Sequence, residues 1–423
     1  MKTLLTILAL FVAAAALGGI AATSSAHGQA GGPPDTFVTD WDAVGSQAFT
    51  AAALGPAEGH VIFGYVAVAV YDAVQAIEGD YRPFAVRLAA PKGASTQAAV
   101  AAAAHRVLAH YLPAQAPTII DPALKTSLAK IPDGQAKNDG VAVGRTVAER
   151  LIAMRAGDGF RMAVPYAAPN PPIPGVWIPT AATPPVGPYL GRMKPFALRS
   201  ADQFRPAGPP ALGSGKWAKE YNEVKQVGSS TSTTRTPEQT LAARFWAEAP
   251  VQQARGSFRK FVRDRELGVV DAARFMAMVS VAYADGLIAC FDAKYHYAFW
   301  RPVTAIRAGN TDRLGTTAGE AAWTPLLGGT PNHPEYPSAH SCITPASGRV
   351  IARFLGTKQI DFTIPSLTGL GDRRFAHPSD LQRDVANARI WGGIHFRSAV
   401  KDGAAIAKKT VDYVLARHFQ PVK

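Results

Sequence analysis

Two cysteines in 423 residues, Cys290 and Cys342, are too few for a disulfide scaffold and leave no cysteine-based zinc site. Charged residues make up only 18% of the chain, but hydrophobic residues make up 48%, which excludes a disordered polyampholyte. Acidic residues are scarce, 31 against 44 Lys and Arg, a formal charge of +13. That excess favours anionic solutes. The cations are scattered and no nucleic-acid motif accompanies them, so no nucleic-acid partner is expected. Alternating apolar and polar residues are nearly absent, which excludes a sheet protein. No internal repeat is legible. Beyond the first residues, no run reads as long and apolar enough to cross a bilayer, so no membrane span is expected in the mature chain.

What is present begins with a leader. Lys2 precedes an apolar run from Leu4 to Ala22, then small residues to Ala30. Residues 1–30 read as a signal peptide, with small-x-small cleavage after Ala26 or Ala30, against the alternative of an uncleaved anchor. An exported protein, periplasmic or secreted, is expected. Residues 31–423 read as a single all-α domain.

Val66, Val70, Ala73, Val74 and Ile77 recur at helical spacing up to Gly79, a natural stop. Further helices are expected over about 95–110, 140–155 and 271–290. Thr236-Pro237-Glu238-Gln239 and Ser379-Asp380-Leu381-Gln382 read as capping boxes. The last helix is expected from Ser398 to Arg417. Residues 164–210 hold 13 of the 33 prolines, too many for a helix or a central strand. They read as a wrap whose Trp177, Phe196 and Phe204 seek burial, against the alternative of an interdomain linker.

Three clusters between 285 and 400 carry chemistry. Lys294 and Arg301 are seven residues apart, two turns along one face if a helix persists to Pro302. His296, between them, falls on another face and reads as structural. Pro337-Ser338-Ala339-His340 precedes a helix expected near Ser341, with Pro345 in its first turn. A helix start binds anions through its free N–H groups, and Ser338 and His340 add a hydroxyl and a proton-transfer group. Arg389 and His395 are six apart, brought together by a turn at Gly392-Gly393. Each cluster alone has an ordinary structural reading. Jointly they suit a compact tetrahedral oxyanion such as phosphate or vanadate.

The spacing Lys-x6-Arg-Pro, then Pro-Ser-Ala-His, then Arg-x5-His resembles the vanadium-dependent haloperoxidases and the related type-2 phosphatidic-acid-phosphatase-like acid phosphatases. The resemblance extends more loosely to Tyr71-Asp72-Ala73 and Arg244-Phe245-Trp246. It implies their helical-bundle fold. It implies that Lys294, Arg301 and Arg389 neutralise vanadate, or phosphate in its place, and that Lys294 also polarises bound peroxide. Ser338 and the Ala339 N–H would bond its oxygens, His340 would be the acid–base residue, and His395 would ligate vanadium. In a phosphatase His395 would be the nucleophile. The partners implied are hydrogen peroxide, halide and a small organic acceptor. Hydrolysis of phosphate monoesters and oxyanion binding without catalysis are the alternatives.

This sequence departs from the pattern at Ala339, where the family has Gly, and at Ala399, where many of the phosphatases have Asp. His333 stands where the algal bromoperoxidases have His and the fungal chloroperoxidases Phe; it is assigned to a halide pocket favouring bromide or iodide. Asp292 and Asp402 are the candidates to orient His395 or Arg389. Cys290 and Cys342 lie close to these clusters and read as buried thiols rather than a pair.

Overall fold

The computed structural model describes residues 36–312 and 314–422; the expected leader, residues 1–30, lies outside them. The helices are α1 (Phe37–Ala51), α2 (Pro56–Glu78), α3 (Thr96–Tyr111), α4 (Asp121–Ala129) and α5 (Gln135–Arg155). After the proline-rich stretch come α6 (Gly215–Val227), α7 (Pro237–Phe245), α8 (Pro250–Asp264), α9 (Val269–Tyr297) and α10 (Pro302–Arg307). They are followed by α11 (Ala339–Leu355), α12 (Pro378–Trp391) and α13 (Arg397–Arg417). One short antiparallel hairpin, β1 (Phe362–Ile364) with β2 (Arg373–Phe375), pairs Phe362 with Phe375 between α11 and α12. The architecture is all-α, as the missing strand patterns imply.

Local chemistry accounts for most boundaries. Gly79 ends α2 at φ 76°, a conformation that costs glycine nothing. Ser95 caps α3 by accepting from the Ala98 N–H. Thr236 and Gln239 form the reciprocal capping box of α7. The second expected box does not form. Pro378 opens α12 two residues early, His377 becomes its N-cap, and Gln382 instead accepts from Arg349 at 2.9 Å.

Helices α2 and α9 are each long and apolar enough to cross a membrane, with mean hydropathy 1.5, which corrects the expectation that no such run exists. Their apolar windows are 89% and 94% buried within the protein, so they serve here as core helices. They pack on one another; α3 lies against α2, and α11 and α13 against α9. Each buried Val, Leu or Ile side chain contributes roughly 1.5–3 kcal/mol.

The two central helices also carry matching devices. Asp72 of α2 accepts from the backbone N–H groups of Phe84, Ala85 and Val86 at 2.6–2.9 Å. Asp285 of α9 accepts from Phe196, Ala197 and Leu198 at 2.6–3.0 Å. The clamped segments read Arg82-Pro83-Phe84-Ala85-Val86 and Lys194-Pro195-Phe196-Ala197-Leu198. This internal correspondence is not legible as a sequence repeat. It is one aspartate and five residues at unequal separation, and only the hydrogen bonds align them.

Residues 164–210 lie inside the single compact unit formed by residues 33–423. Trp177 is fully buried, while Phe196 and Phe204 are half-buried against Tyr65 and Tyr413. The wrap is stitched to the segments that carry the expected site. The Trp177 N–H donates to the Ala298 carbonyl, and Asn332 bonds the Thr180 N–H and the Thr183 carbonyl.

Candidate active site

Lys294 and Arg301 do not share a helix face. α9 ends at Tyr297, and Ala298 turns the chain out at φ 43°, four residues before Pro302. Arg301 is then the N-cap residue of α10. The two side chains converge nevertheless, because both grip the segment 333–335. Lys294 Nζ donates to the carbonyls of Pro334 and Glu335 at 2.8 and 3.1 Å. Arg301 Nε donates to the His333 carbonyl at 2.9 Å, and Nη1 to the Ile394 carbonyl at 3.0 Å.

Arg389 reaches the same region from the last turn of α12 and donates through Nη1 to the Trp246 carbonyl at 2.7 Å. Gly392 and Gly393 then reverse the chain. Gly393 has φ 74°, and a Cβ there would stand 2.3 Å from the Gly228 carbonyl oxygen, so only glycine fits. The turn delivers His395, 2% exposed. His395 Nε2 lies 3.4 Å from Arg301 Nη1, and its Nδ1 lies 2.9 Å from Glu335 Oε1. A guanidinium only donates, so the Nε2 facing it carries no proton and Nδ1–H donates to Glu335. The lone pair of Nε2 faces Arg301.

The carboxylate that orients His395 is therefore Glu335. Neither Asp292 nor Asp402 does so: Asp292 is bound in a bidentate pair by Arg205, and Asp402 accepts from the Tyr336 hydroxyl at 2.6 Å. Glu335 sits within the same His333-Pro-Glu-Tyr336 segment, but nothing in its spacing from His395, 60 residues on, marks it in the sequence.

Ser338 and Ala339 open α11, which starts two residues earlier than expected and holds Pro345 in its interior. Pro345 has no N–H, so the Ser341 carbonyl has no helical donor from it. The first N–H groups of α11, those of Ala339 and His340 among them, have no acceptor within the helix. Ser338 is wholly buried and its Oγ has no partner among the described residues. His340 is half-buried on the first turn. His333 is buried, its ring 5.2 Å from Phe291, and its Nδ1 lies 3.0 Å from Arg301 Nη2 and 3.1 Å from the Pro334 carbonyl oxygen. His296 is exposed against Tyr297. Cys290 and Cys342 are both free thiols and buried beside Lys294.

The electrostatics are those of a cage awaiting negative charge. Lys294, Arg301 and Arg389 are at most 3% exposed, and none makes an ion pair among the described residues. Burial pushes Lys294 down to about 8, Arg301 to about 10 and Arg389 to about 9. Glu335 is the carboxylate near Lys294 and Arg301, and burial pushes it up to about 8. His395, His333 and His340 are held well below their ordinary value, first by burial and then by the neighbouring cations. A buried cation without a counter-charge costs several kcal/mol. The orphaned Ser338 Oγ and Arg389 Nε add unmet hydrogen bonds. A tetrahedral oxyanion such as vanadate supplies both the charge and the acceptors, so the residues present fit it.

Residues 274–423 match the family model described as the VCPO second helical-bundle domain. Over these residues the chain is similar to the vanadium haloperoxidases. The vanadium chloroperoxidase of Curvularia inaequalis is 27% identical over 197 residues, 40% of this chain and 32% of that protein. The chain thus matches about a third of the length of this curated relative. Two solved vanadium haloperoxidases share the fold. A bacterial vanadium-dependent iodoperoxidase superposes with a TM-score of 0.80, 24% identity, and coverage of 94% of this chain and 100% of its own. A bacterial vanadium-dependent chloroperoxidase in the holo form gives 0.70, 20%, 90% and 97%. All three clusters lie within residues 274–423, the stretch that the family model matches.

Proposed function

We propose that this protein is a vanadate-dependent haloperoxidase that oxidises halide with hydrogen peroxide to a hypohalous species, bromide or iodide ahead of chloride. The observation that carries the reading is the buried imbalance of three cations against one carboxylate, beside an imidazole whose unprotonated Nε2 faces Arg301. Lys294, Arg301 and Arg389 neutralise the oxyanion. The Ser338 hydroxyl and the Ala339 N–H donate to its oxygens, and His395 Nε2 is the ligand. Vanadate held there supplies a Lewis acid that activates hydrogen peroxide without changing oxidation state. His340, neutral and half-exposed, takes and returns the proton of the arriving peroxide. Lys294 Nζ, anchored on two carbonyls, holds positive charge where oxygen becomes electrophilic. Its lowered pKa makes it able to yield a proton near neutrality.

His333 supports the halide preference. It places a second neutral imidazole beside Arg301, where a larger, more easily oxidised halide approaches. One of the similar solved proteins is an iodoperoxidase and another a chloroperoxidase, so fold alone does not select the halide. The acceptor is a small organic molecule. The leader supports export, with the reaction taking place outside the cytoplasm.

The test is direct. Purified protein with vanadate, peroxide and bromide or iodide brominates or iodinates a dione reporter, and turnover disappears when vanadate is withheld. Hydrolysis of a phosphate ester, inhibited by vanadate, with no halide oxidation would overturn the reading in favour of a phosphatase. His395→Ala abolishes turnover while the helical circular dichroism is unchanged.

A further inference from the structure

A narrow, mainly apolar cleft opens on His340, and one of its walls is an imidazole that the oxyanion site does not use. His60, near the start of α2, lines this cleft together with His340. It is 3% exposed, and its Nε2 has no hydrogen-bond partner among the described residues. Its ring leans on Tyr283 of α9 at 5.2 Å. Tyr283 faces the hydroxyls of Thr344 and Ser347 on α11, and both of these line the same cleft. Phe258 and Phe362 close the apolar side. Burial and the Arg255 guanidinium keep His60 neutral, pushing it down to about 3. Arg255 is itself paired with Asp42.

These features restrict the occupant. The cleft has room for about one water-sized molecule. His60 is neutral, and the Arg255 guanidinium that acts on it already has its carboxylate, so the His60 wall offers no charge to fix an ion. An orphaned ring nitrogen on one side and hydroxyl groups on the other suit a solute that both donates and accepts. A buried imidazole placed only for packing would not leave its nitrogen unpaired beside a cleft, because the lost hydration would go unrepaid.

We propose that this cleft is a second small-molecule site, which holds one neutral hydroxylic molecule, water or hydrogen peroxide, between His60 Nε2 and His340, and that His60 positions it. His60 is then a positioning residue that acts through the held molecule on His340. The catalytic consequence rests on the haloperoxidase reading; the binding site does not.

The test uses the full chain with three variants. His60→Phe keeps the ring and removes the nitrogens; His60→Gln restores a hydrogen-bonding group; Ser347→Val narrows the cleft from α11. In high-resolution crystals grown without vanadate, the wild type and His60→Gln show an ordered molecule bonded to residue 60, and His60→Phe does not. A peroxide soak distinguishes the two occupants, since elongated density marks peroxide and spherical density marks water. In the haloperoxidase assay His60→Phe raises the KM for peroxide about tenfold if peroxide is held, or lowers kcat about tenfold if water is held. His60→Gln recovers most of either loss, and vanadate affinity stays at the wild-type value in both. A dry cleft in the wild type overturns the site. An ordered molecule with unchanged kcat and KM in His60→Phe overturns the role of His60. If His60→Phe does not fold, Ser347→Val is read by the same outcomes. If the protein oxidises no halide at all, the crystals still decide the site.

Discussion

One oxygen of Glu335 receives two hydrogen bonds, from His395 Nδ1 and from the Phe396 N–H, both at 2.9 Å. That contact fixes which nitrogen of His395 faces the oxyanion. Glu335→Gln should keep an acceptor for Phe396 but lose the carboxylate that, once ionised above about pH 8, favours the Nδ1–H tautomer. Vanadate affinity should fall about 10–100-fold, as for other partners of a ligating histidine, with little change in unfolding midpoint. Titration of vanadate by thermal shift measures both. His333 yields a pH prediction. Burial holds it neutral in the fold, well below its ordinary value of 6.5. The unfolded chain protonates it below that value, so its neutral burial stabilises least in acid, and stability is lost as pH falls below 6.5. His333→Phe removes this linkage. The stability difference should move in the variant's favour by up to about 1.4 kcal/mol per pH unit below 6.5. Urea midpoints of both proteins at pH 7.5 and 5.5 test it; equal shifts would sink the idea. The candidate site was legible at this scale as residue types and spacing. Glu335 was not, because a carboxylate that meets its histidine from 60 residues away leaves no periodic trace.

Among the elements, α2 and α9 pack on one another in the core, and each uses a buried aspartate to hold a loop. Burial raises Asp285, and the N–H groups of Phe196, Ala197 and Leu198 oppose that rise. Asp285→Ala leaves three backbone donors buried and unpaired. The expected cost is on the order of 3–5 kcal/mol in urea unfolding, since each unmet donor costs roughly 1–3 kcal/mol and relaxation recovers part. An effect below 1 kcal/mol would mean that the clamp is incidental. Helix starts and stops were largely readable, because a cap or a glycine acts on its own neighbours. Two failures share one cause. The Ser379 box lost to a proline-led start at Pro378, and α9 stopped at Ala298 rather than at Pro302. In both places tertiary contacts chose between local signals of similar strength. At Ala298 the choice is visible, because the carbonyl that leaves the helix accepts from the Trp177 N–H of the wrap.

For the whole molecule, the uncompensated charge at the centre should appear in global stability. An oxyanion that binds only the folded state at a hundred times its Kd adds about 2.7 kcal/mol. Vanadate, and phosphate more weakly, should raise the thermal midpoint, and Arg389→Ala should remove most of that rise; a midpoint indifferent to vanadate would contradict the cage. The sequence by itself determined the helical class, most helix boundaries, and the residue types of the three clusters. These follow from local propensity and from spacing along one chain. Tertiary structure alone decided that Lys294 and Arg301 meet from different elements, that Glu335 orients His395, and that the proline-rich wrap is sewn to the site. It also decided that two helices apolar enough for a membrane form the core instead. Each of these outcomes depends on which distant groups share a desolvated volume, and distance along the chain carries no information about that.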